Sequence, residues 1–229
     1  MTTFVLIHGA YQGGWIWKPV AEHLRAKGHL VLTPTLDGCA ERKGQLRAGI
    51  DTETHAAEVA DLLFYQDLTD VVLVGTSTGG MVMARVAELA RARVARVVFA
   101  DALALLDGEA LPDIVKRPTA VNTELGTGPS RQDFETRLFV DLTPEMRTWA
   151  LERCTPHPIA AMQAPVRLKS FWNQTWNASV IWCKRSTNPP LAHQRRTADR
   201  LKGRWHELDT GHYPMLTEPE ALARLIAEG

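Results

Sequence analysis

The chain lacks an excess of charge of either sign, because its 26 Lys and Arg residues balance 26 Asp and Glu residues. Without a cluster of basic side chains, it has no electrostatic footprint for nucleic acid or for an anionic membrane surface. It also lacks an apolar run of membrane-spanning length and a linker rich in Gly, Ser or Pro. The 229 residues therefore predict one domain that binds a small, largely neutral molecule, with no nucleic-acid or membrane partner.

Cysteine is scarce as well. Cys39, Cys154 and Cys183 are an odd number at irregular spacing, which fits neither a disulfide framework nor a zinc module. We expect reduced thiols, no metal site and a cytoplasmic location. The N-terminal MTTFVLIHGAY leads directly into a strand-like run, without the basic region, apolar stretch and cleavage site of a signal peptide.

What the sequence does contain is an alternation of strand-like and helix-like segments. Apolar runs typical of strands buried on both faces span residues 3–9, 29–36, 70–75, 95–101, 178–183 and, more weakly, 203–209. Segments of helical period lie between and after them, at 17–27, 52–66, 79–92, 191–202 and 217–228. This order predicts an α/β fold with a six-stranded, mostly parallel sheet flanked by helices.

The alternation stops between about residues 107 and 176. That stretch is longer than a loop should be without structure of its own, and it is rich in Trp, Phe, Met and Pro. We predict a helical cap over the C-terminal edge of the sheet, where open α/β sheets bind ligands. Residues 1–106 and 177–229 would form the core of the single domain. The alternative is a floppy surface insertion, which would expose many large apolar side chains.

The clearest motif lies in VLVGTSTGGM, residues 72–81. Its G-x-S-x-G core follows a buried-strand pattern and opens a helix, which is the context of a nucleophile elbow. The serine of an elbow occupies a strained turn with positive φ, and glycines two residues away let strand and helix approach. The pattern predicts Ser77 as a nucleophile, the alternative being a glycine-rich turn with an incidental serine.

A serine hydroxyl needs a base within hydrogen-bond reach. His212, in LDTGHYPML, follows the last predicted strand and precedes the last helix, late in the chain as the order serine, acid, histidine requires. His157, which lies between two prolines, is the competitor. The histidines on predicted helices or strand ends are expected to be solvated or structural: His23, His29, His55, His193 and His206.

A tetrahedral intermediate needs two backbone N–H donors, one after the nucleophile and one from the loop after an early strand. Thr78 supplies the first. The glycine-rich HGAYQGGW at residues 8–15 supplies the second, and Ala10 is the expected donor. His8 is expected to brace this loop.

Three segments together carry a family resemblance: HGAYQGGW, GTSTGG at 75–80 and LDTGHYPMLTEPEALARLI at 208–226. With the aromatic cap, they make the whole chain resemble the α/β-hydrolase family. Within that family it is most similar to the branch of plant methylesterases, salicylate-binding esterases, hydroxynitrile lyases and bacterial carboxylesterases. The resemblance implies a cofactor-free serine hydrolase that cleaves a small carboxylic ester through an acyl-enzyme.

Two other functions stay open on this scaffold. The hydroxynitrile lyases that the chain resembles carry a threonine where this chain has Gly9 and a lysine where it has Tyr213. Because the lysine's charge would stabilise a departing cyanide, its absence favours ester hydrolysis. The second alternative is a non-catalytic receptor or small-molecule binding protein that keeps serine and histidine.

The resemblance leaves the acid of the triad in question. The family usually places an aspartate just after the strand at 178–183, where this chain has Ser186. Asp101, at the end of the preceding strand and 24 residues after Ser77, matches relatives whose acid follows that earlier strand. We therefore predict Asp101 as the acid. Other carboxylates also remain open, as does a dyad without an acid: Asp107, Glu109 and Asp209.

The walls of the binding pocket are predicted to be aromatic and without an Arg or Lys anchor, which favours a neutral, apolar or aromatic ester. Each proposed wall residue could equally serve packing. The candidates are Tyr11, Trp15, Phe134, Trp149, Met162, Phe171, Trp172 and Trp176. A homodimer stays open, because the sequence does not fix the oligomeric state.

Overall fold

The architecture comes from a computed structural model, which describes residues 1–116 and 120–228. Its main sheet has six strands in the order β2-β1-β3-β4-β8-β9, and every pairing between them is parallel. The predicted six-stranded sheet is thus confirmed. The strands among the described residues are β1 (Thr3–Ile7), β2 (Leu30–Leu32), β3 (Val71–Ser77), β4 (Val94–Ala102), β5 (Ala120–Asn122), β6 (Gly126–Pro129), β7 (His157–Pro158), β8 (Asn177–Cys183) and β9 (Arg204–Leu208).

The central strands are apolar because helices cover both faces of the sheet. In β3, the six residues before Ser77 are all buried. The larger helices are the predicted ones; the last predicted helix, 217–228, begins at Pro219, and the short helix at Pro214–Thr217 before it was not predicted. The helices are α1 (Lys18–Ala26), α2 (Thr52–Tyr65), α3 (Gly79–Leu89), α4 (Leu111–Ile114), α5 (Arg131–Asp133), α6 (Pro144–Leu151), α7 (Ile159–Gln163), α8 (Leu191–Leu201), α9 (Pro214–Thr217) and α10 (Pro219–Glu228).

The strand order changes direction between β1 and β3: the chain passes from β1 to β2 on one side and then returns to β3 on the other. Loops diverge at such a switch point and leave a crevice beyond the C-terminal ends of the strands. The segment after β1 and the end of β3 therefore meet at this edge, and they carry HGAYQGGW and Ser77.

The segment at 107–176 contains short helices, as predicted, but it also contains a three-stranded antiparallel sheet, β5-β6-β7. The sequence did not predict these strands because they are two to four residues long and include Gly and Pro. Residues 117–119 of this segment, and Gly229 at the end of the core, lie outside the described residues. Among the described helices, none is both long and apolar enough to cross a membrane.

Candidate active site

Ser77 is the last residue of β3 and has a φ of 50°, in the left-handed region. A Cβ added to Gly75 would lie 2.6 Å from the carbonyl oxygen of Gly79, so only glycine lets strand and helix pass this closely. The carbonyl of Ser77 accepts a hydrogen bond from the N–H of Leu103 at 2.9 Å, which ties the turn to the end of β4. This backbone is that of a nucleophile elbow.

His212 lies in the loop after β9, and its Nδ1 atom is 2.6 Å from Oδ2 of Asp101. Asp101 is fully buried at the end of β4 and has a φ of 47°. Aspartate tolerates this left-handed conformation better than most residues. Because β3 and β4 are neighbours, their ends place Ser77 and Asp101 at one edge of the sheet, and Ser77 and His212 line one cavity.

The second oxygen of the Asp101 carboxylate has its own donors. Oδ1 accepts a hydrogen bond from Nε2 of Gln194 at 2.7 Å and a longer one, at 3.4 Å, from the N–H of Cys183. Sequence reasoning missed Gln194, because a glutamine on a helix gives no signal of a distant carboxylate partner.

Ser186 also lies beside the histidine, with its Oγ 3.5 Å from Nδ1 of His212. Its hydroxyl donates to the carbonyl of Asn188 at 3.1 Å. The shorter contact of His212 is therefore with Asp101, and Ser186 is an uncharged neighbour of the imidazole.

The other carboxylates considered for the acid are engaged elsewhere. Asp107 accepts from the N–H of Leu168 and pairs with Lys169. Glu109 forms an ion pair with Arg196 at 2.6 Å. The N–H of Leu168 and the ammonium of Lys169 hold the pKa of the exposed Asp107 carboxyl below its usual value. Partial burial acts to raise the pKa of Glu109, but the Arg196 guanidinium and the N–H of Leu106 outweigh it and keep that pKa below its usual value. Asp209 lies at the surface beside Arg185.

His157, the competing base, is buried away from the main cavity, with its Nδ1 3.4 Å from Sγ of Cys39. Burial raises the pKa of Cys39 to about 12, so this thiol stays protonated. His8 is also buried: its Nδ1 donates to the carbonyl of Gly9 at 2.7 Å and its Nε2 accepts from the N–H of Leu36 at 3.0 Å. Burial lowers the pKa of His8 to about 4, so it stays neutral and braces the loop, as expected.

Ala10 and Thr78, the two predicted oxyanion donors, both line the cavity and are nearly buried. Within residues 1–116 and 120–228, neither backbone N–H donates to a protein acceptor. Two uncommitted N–H groups beside the elbow serine are the arrangement that an anionic oxygen requires.

The cavity above Ser77 has a volume of about 320 Å³ and is lined by the sheet edge and by the segment 107–176. Its apolar walls include Leu103, Leu111, Val115, Leu138, Val140 and Met162. Of the predicted wall residues, Tyr11 and Met162 line it. Tyr11 also lines a second, more open cavity of about 290 Å³, where Phe134 is found.

The other predicted wall aromatics do not reach the main cavity, because they pack the segment 107–176 and the early loop against the core. Trp15 packs on Trp149 with a ring separation of 5.2 Å. Phe171 stacks on Trp176, and Nε1 of Trp172 donates to the carbonyl of Leu105 at 2.9 Å. The prediction of an aromatic wall is therefore wrong for Trp15, Trp149, Phe171, Trp172 and Trp176.

Two arginines, Arg137 and Arg185, line the cavity, against the expectation of none. Both are exposed and already paired: Arg137 lies 3.6 Å from Asp133, and Arg185 contacts Asp209. In the part of the chain that the structure describes, no three His, Cys, Asp or Glu side chains are grouped to hold a metal ion.

A parallel sheet that carries a serine on an elbow at its C-terminal edge, in one cavity with a histidine that pairs with a buried aspartate, is the arrangement of the α/β-hydrolase class. Residues 4–225 match the model of the alpha/beta hydrolase family, and the chain belongs to that family. The resemblance read from its motifs is thereby confirmed.

Two curated relatives are similar over nearly the full chain. A carbendazim-hydrolysing esterase from Nocardioides is 29% identical over 241 residues, covering 99% of both proteins. Methylesterase 3 from Arabidopsis thaliana is 29% identical over 255 residues, covering 98% of this chain and 94% of the relative. Among solved structures, an extracellular alpha/beta-hydrolase from a Paenibacillus species superposes with a TM-score of 0.83 and 25% identity, covering 100% of this chain and 98% of that one.

Proposed function

We propose that the protein is a carboxylesterase-type serine hydrolase. The observation that carries this proposal is the 2.6 Å contact between His212 Nδ1 and Asp101 Oδ2 beside the cavity that holds Ser77. An imidazole whose Nδ1–H is bound by a carboxylate presents its Nε2 as a base. The full-length similarity to esterases supports the same reaction class.

In the proposed mechanism, Ser77 Oγ attacks the ester carbonyl while Nε2 of His212 takes the hydroxyl proton. The N–H groups of Ala10 and Thr78 stabilise the negative charge on the carbonyl oxygen. The imidazolium returns its proton to the departing alcohol, which leaves an acyl-serine. Water, deprotonated by the same imidazole, then releases the acid and restores Ser77.

We expect the substrate to be small and largely neutral. The leucine, valine and methionine side chains of the cavity favour an apolar acyl or alcohol group. Arg137 and Arg185 add little attraction for an anion because each is exposed to solvent and has an acidic partner. The segment 107–176 supplies most of the apolar wall, which is the role proposed for it as a cap.

A labelling experiment separates this enzyme from a binding protein of the same fold. An activated serine reacts with a fluorophosphonate and gives a burst of alcohol release with an aryl ester. We expect both from the wild type and neither from Ser77→Ala, while a panel of esters that differ in acyl bulk defines the substrate. A wild-type protein that takes no label and shows no burst would favour the receptor function.

We predict no useful cleavage of cyanohydrins. Position 9 has no room for the threonine of the lyases, because a Cβ on Gly9 would lie 2.7 Å from the Cβ of Ser77. Tyr213, where the lyases have lysine, is buried and uncharged, because burial raises the pKa of its phenol well above its usual value. A leaving cyanide would therefore lack a neighbouring cation.

The measurement is cyanide release from mandelonitrile, compared with hydrolysis of an aryl ester by the same preparation. Cyanide release at a rate similar to ester hydrolysis, and lost in Ser77→Ala, would contradict the prediction. Release that persists in Ser77→Ala is background decomposition and leaves the site an esterase.

A further inference from the structure

Gln194 is fully buried on α8, away from the cavity lining. Its Nε2 group donates to two acceptors: Oδ1 of Asp101 at 2.7 Å and the carbonyl of Pro189 at 3.1 Å. Pro189 belongs to the loop after β8 that lines the cavity. A single side-chain amide thus joins the buried carboxylate to a wall of the site.

The orientation of this amide follows from its partners. Reversing it would point the amide oxygen at a carboxylate and a carbonyl, both of which are acceptors. In the orientation observed, Oε1 of Gln194 is buried without a donor among residues 1–116 and 120–228. Burying an unpaired amide oxygen is unfavourable, so an apolar side chain would fill the space better if filling space were its role. The role of Gln194 therefore lies in the two N–H groups of its side-chain amide, which donate the hydrogen bonds.

We propose that Gln194 is a positioning residue for the reaction, which holds the carboxylate of Asp101 so that Oδ2 faces Nδ1 of His212. This inference rests on the proposed function, in which Asp101 is the acid of the triad. The carboxylate needs such a restraint because, among the residues that the structure describes, the other donor to Oδ1 is the N–H of Cys183, which is 3.4 Å away. A hydrogen bond of 2.7 Å to the amide fixes its rotation more firmly.

The charged and titratable groups around Gln194 and Asp101 determine how the pH dependence of kcat is interpreted. Burial, with the charges of Asp101 and Asp141, raises the pKa of the Cys183 thiol well above its usual value. Burial lowers the pKa of His193, beside Gln194 on α8, to about 4. Tyr213 is likewise held neutral by burial, which raises its pKa. Arg196, 3.2 Å from Nδ1 of His193, and its ion-pair partner Glu109 are the charged groups on this side, and Asp141 bonds the N–H of Gly211 on the other. Cys183, His193 and Tyr213 are therefore not expected to change ionisation between pH 7 and pH 9.

The first test is Gln194→Met, which keeps the length of the side chain and removes its donors. We expect kcat to fall by about 10- to 100-fold, since a misplacement of about 1 Å at a catalytic group can cost about 100-fold. We expect KM to stay within about twofold, because Gln194 does not line the cavity. The matched control is Thr197→Val on the same helix, whose hydroxyl donates to the carbonyl of His193 within α8.

The second variant, Gln194→Glu, distinguishes positioning from packing. Two buried carboxyls in contact hold one proton between them to unusually high pH, because burial and like charge both oppose ionisation. While that proton is present, the protonated carboxyl introduced at position 194 donates a hydrogen bond to the carboxylate of Asp101, as the amide N–H of Gln194 does in the wild type. The Q194E protein should therefore exceed Gln194→Met in kcat near neutral pH. As pH rises and the proton leaves, kcat should fall in an alkaline limb that the wild type and Thr197→Val lack.

Asp101→Asn and Ser77→Ala are measured in parallel. The inference is wrong if Asp101→Asn loses activity while Gln194→Met and Gln194→Glu keep wild-type kcat and pH profiles. It is also wrong if both Gln194 variants lose activity equally at every pH, since that marks a packing defect. Wild-type activity in Asp101→Asn overturns the proposed acid itself, and Gln194→Glu decides alone if Gln194→Met fails to fold.

Discussion

Replacing Ser77 with alanine is expected to lower kcat for ester hydrolysis by about four to six orders of magnitude, because the members of a triad act as a unit. Without Oγ there is no acyl-enzyme, and His212 has no hydroxyl to deprotonate. His212→Ala should lose a similar amount for the same reason. Only the donors of the oxyanion site and the binding of substrate would still contribute.

The measurement is steady-state kinetics with an aryl ester, together with a thermal melt. Ser179→Ala is the matched control, since this serine is buried in β8 outside the cavity and should keep wild-type kcat. Turnover by Ser77→Ala within tenfold of the wild type, from a preparation free of other esterases, would end the serine-hydrolase proposal.

Asp101→Asn is expected to lower kcat by about 10⁴, the typical effect of neutralising the anion behind a catalytic imidazole without changing its shape. The imidazolium formed when Ser77 attacks would lose its charged partner at 2.6 Å, and the asparagine amide can favour the wrong tautomer of His212. Folding should be retained, because asparagine can adopt the left-handed backbone of position 101.

Ser186 provides the internal control for this result. Its Oγ lies 3.5 Å from Nδ1 of His212 but carries no charge, so Ser186→Ala should stay within about tenfold of wild-type kcat. Adding Ser186→Asp to Asp101→Asn should restore part of the rate, because a carboxylate at either strand end can reach the same nitrogen. If Asp101→Asn instead retains near-wild-type kcat, the site works as a dyad of Ser77 and His212.

Much of the fold could be predicted because its signals are local. Each long strand of the main sheet reads as an apolar run, and each large helix has the period of one buried face. The small sheet β5-β6-β7 could not be predicted in this way, because its strands are too short for any period to emerge. Their pairing depends on contacts between residues distant in sequence.

In the candidate site, too, the features with a local sequence signal could be predicted and the others could not. The elbow was predictable because its glycines and serine are contiguous and meet a local steric requirement, which the backbone at Ser77 satisfies. The position of Asp101 could be predicted because this residue lies at the end of a predicted strand. The residues that line the cavity could not be predicted, because a tryptophan such as Trp172 has the same hydrophobicity whether it faces a ligand or the core. Gln194 gave no signal, because its role exists only in three dimensions.

The left-handed backbone at both Ser77 and Asp101 bears on how far this protein can be stabilised. An L-residue in that conformation costs about 1–2 kcal/mol relative to the right-handed form, and the two sit on adjacent strand ends. Domains of this kind have net stabilities of only about 5–15 kcal/mol. The C-terminal edge of the sheet therefore holds Ser77 and Asp101 in a backbone conformation that these residues do not prefer. Selection for heat resistance alone would favour substitutions that remove this strained backbone, and turnover would fall. Substitutions that raise the melting temperature without loss of turnover must therefore lie elsewhere in the fold.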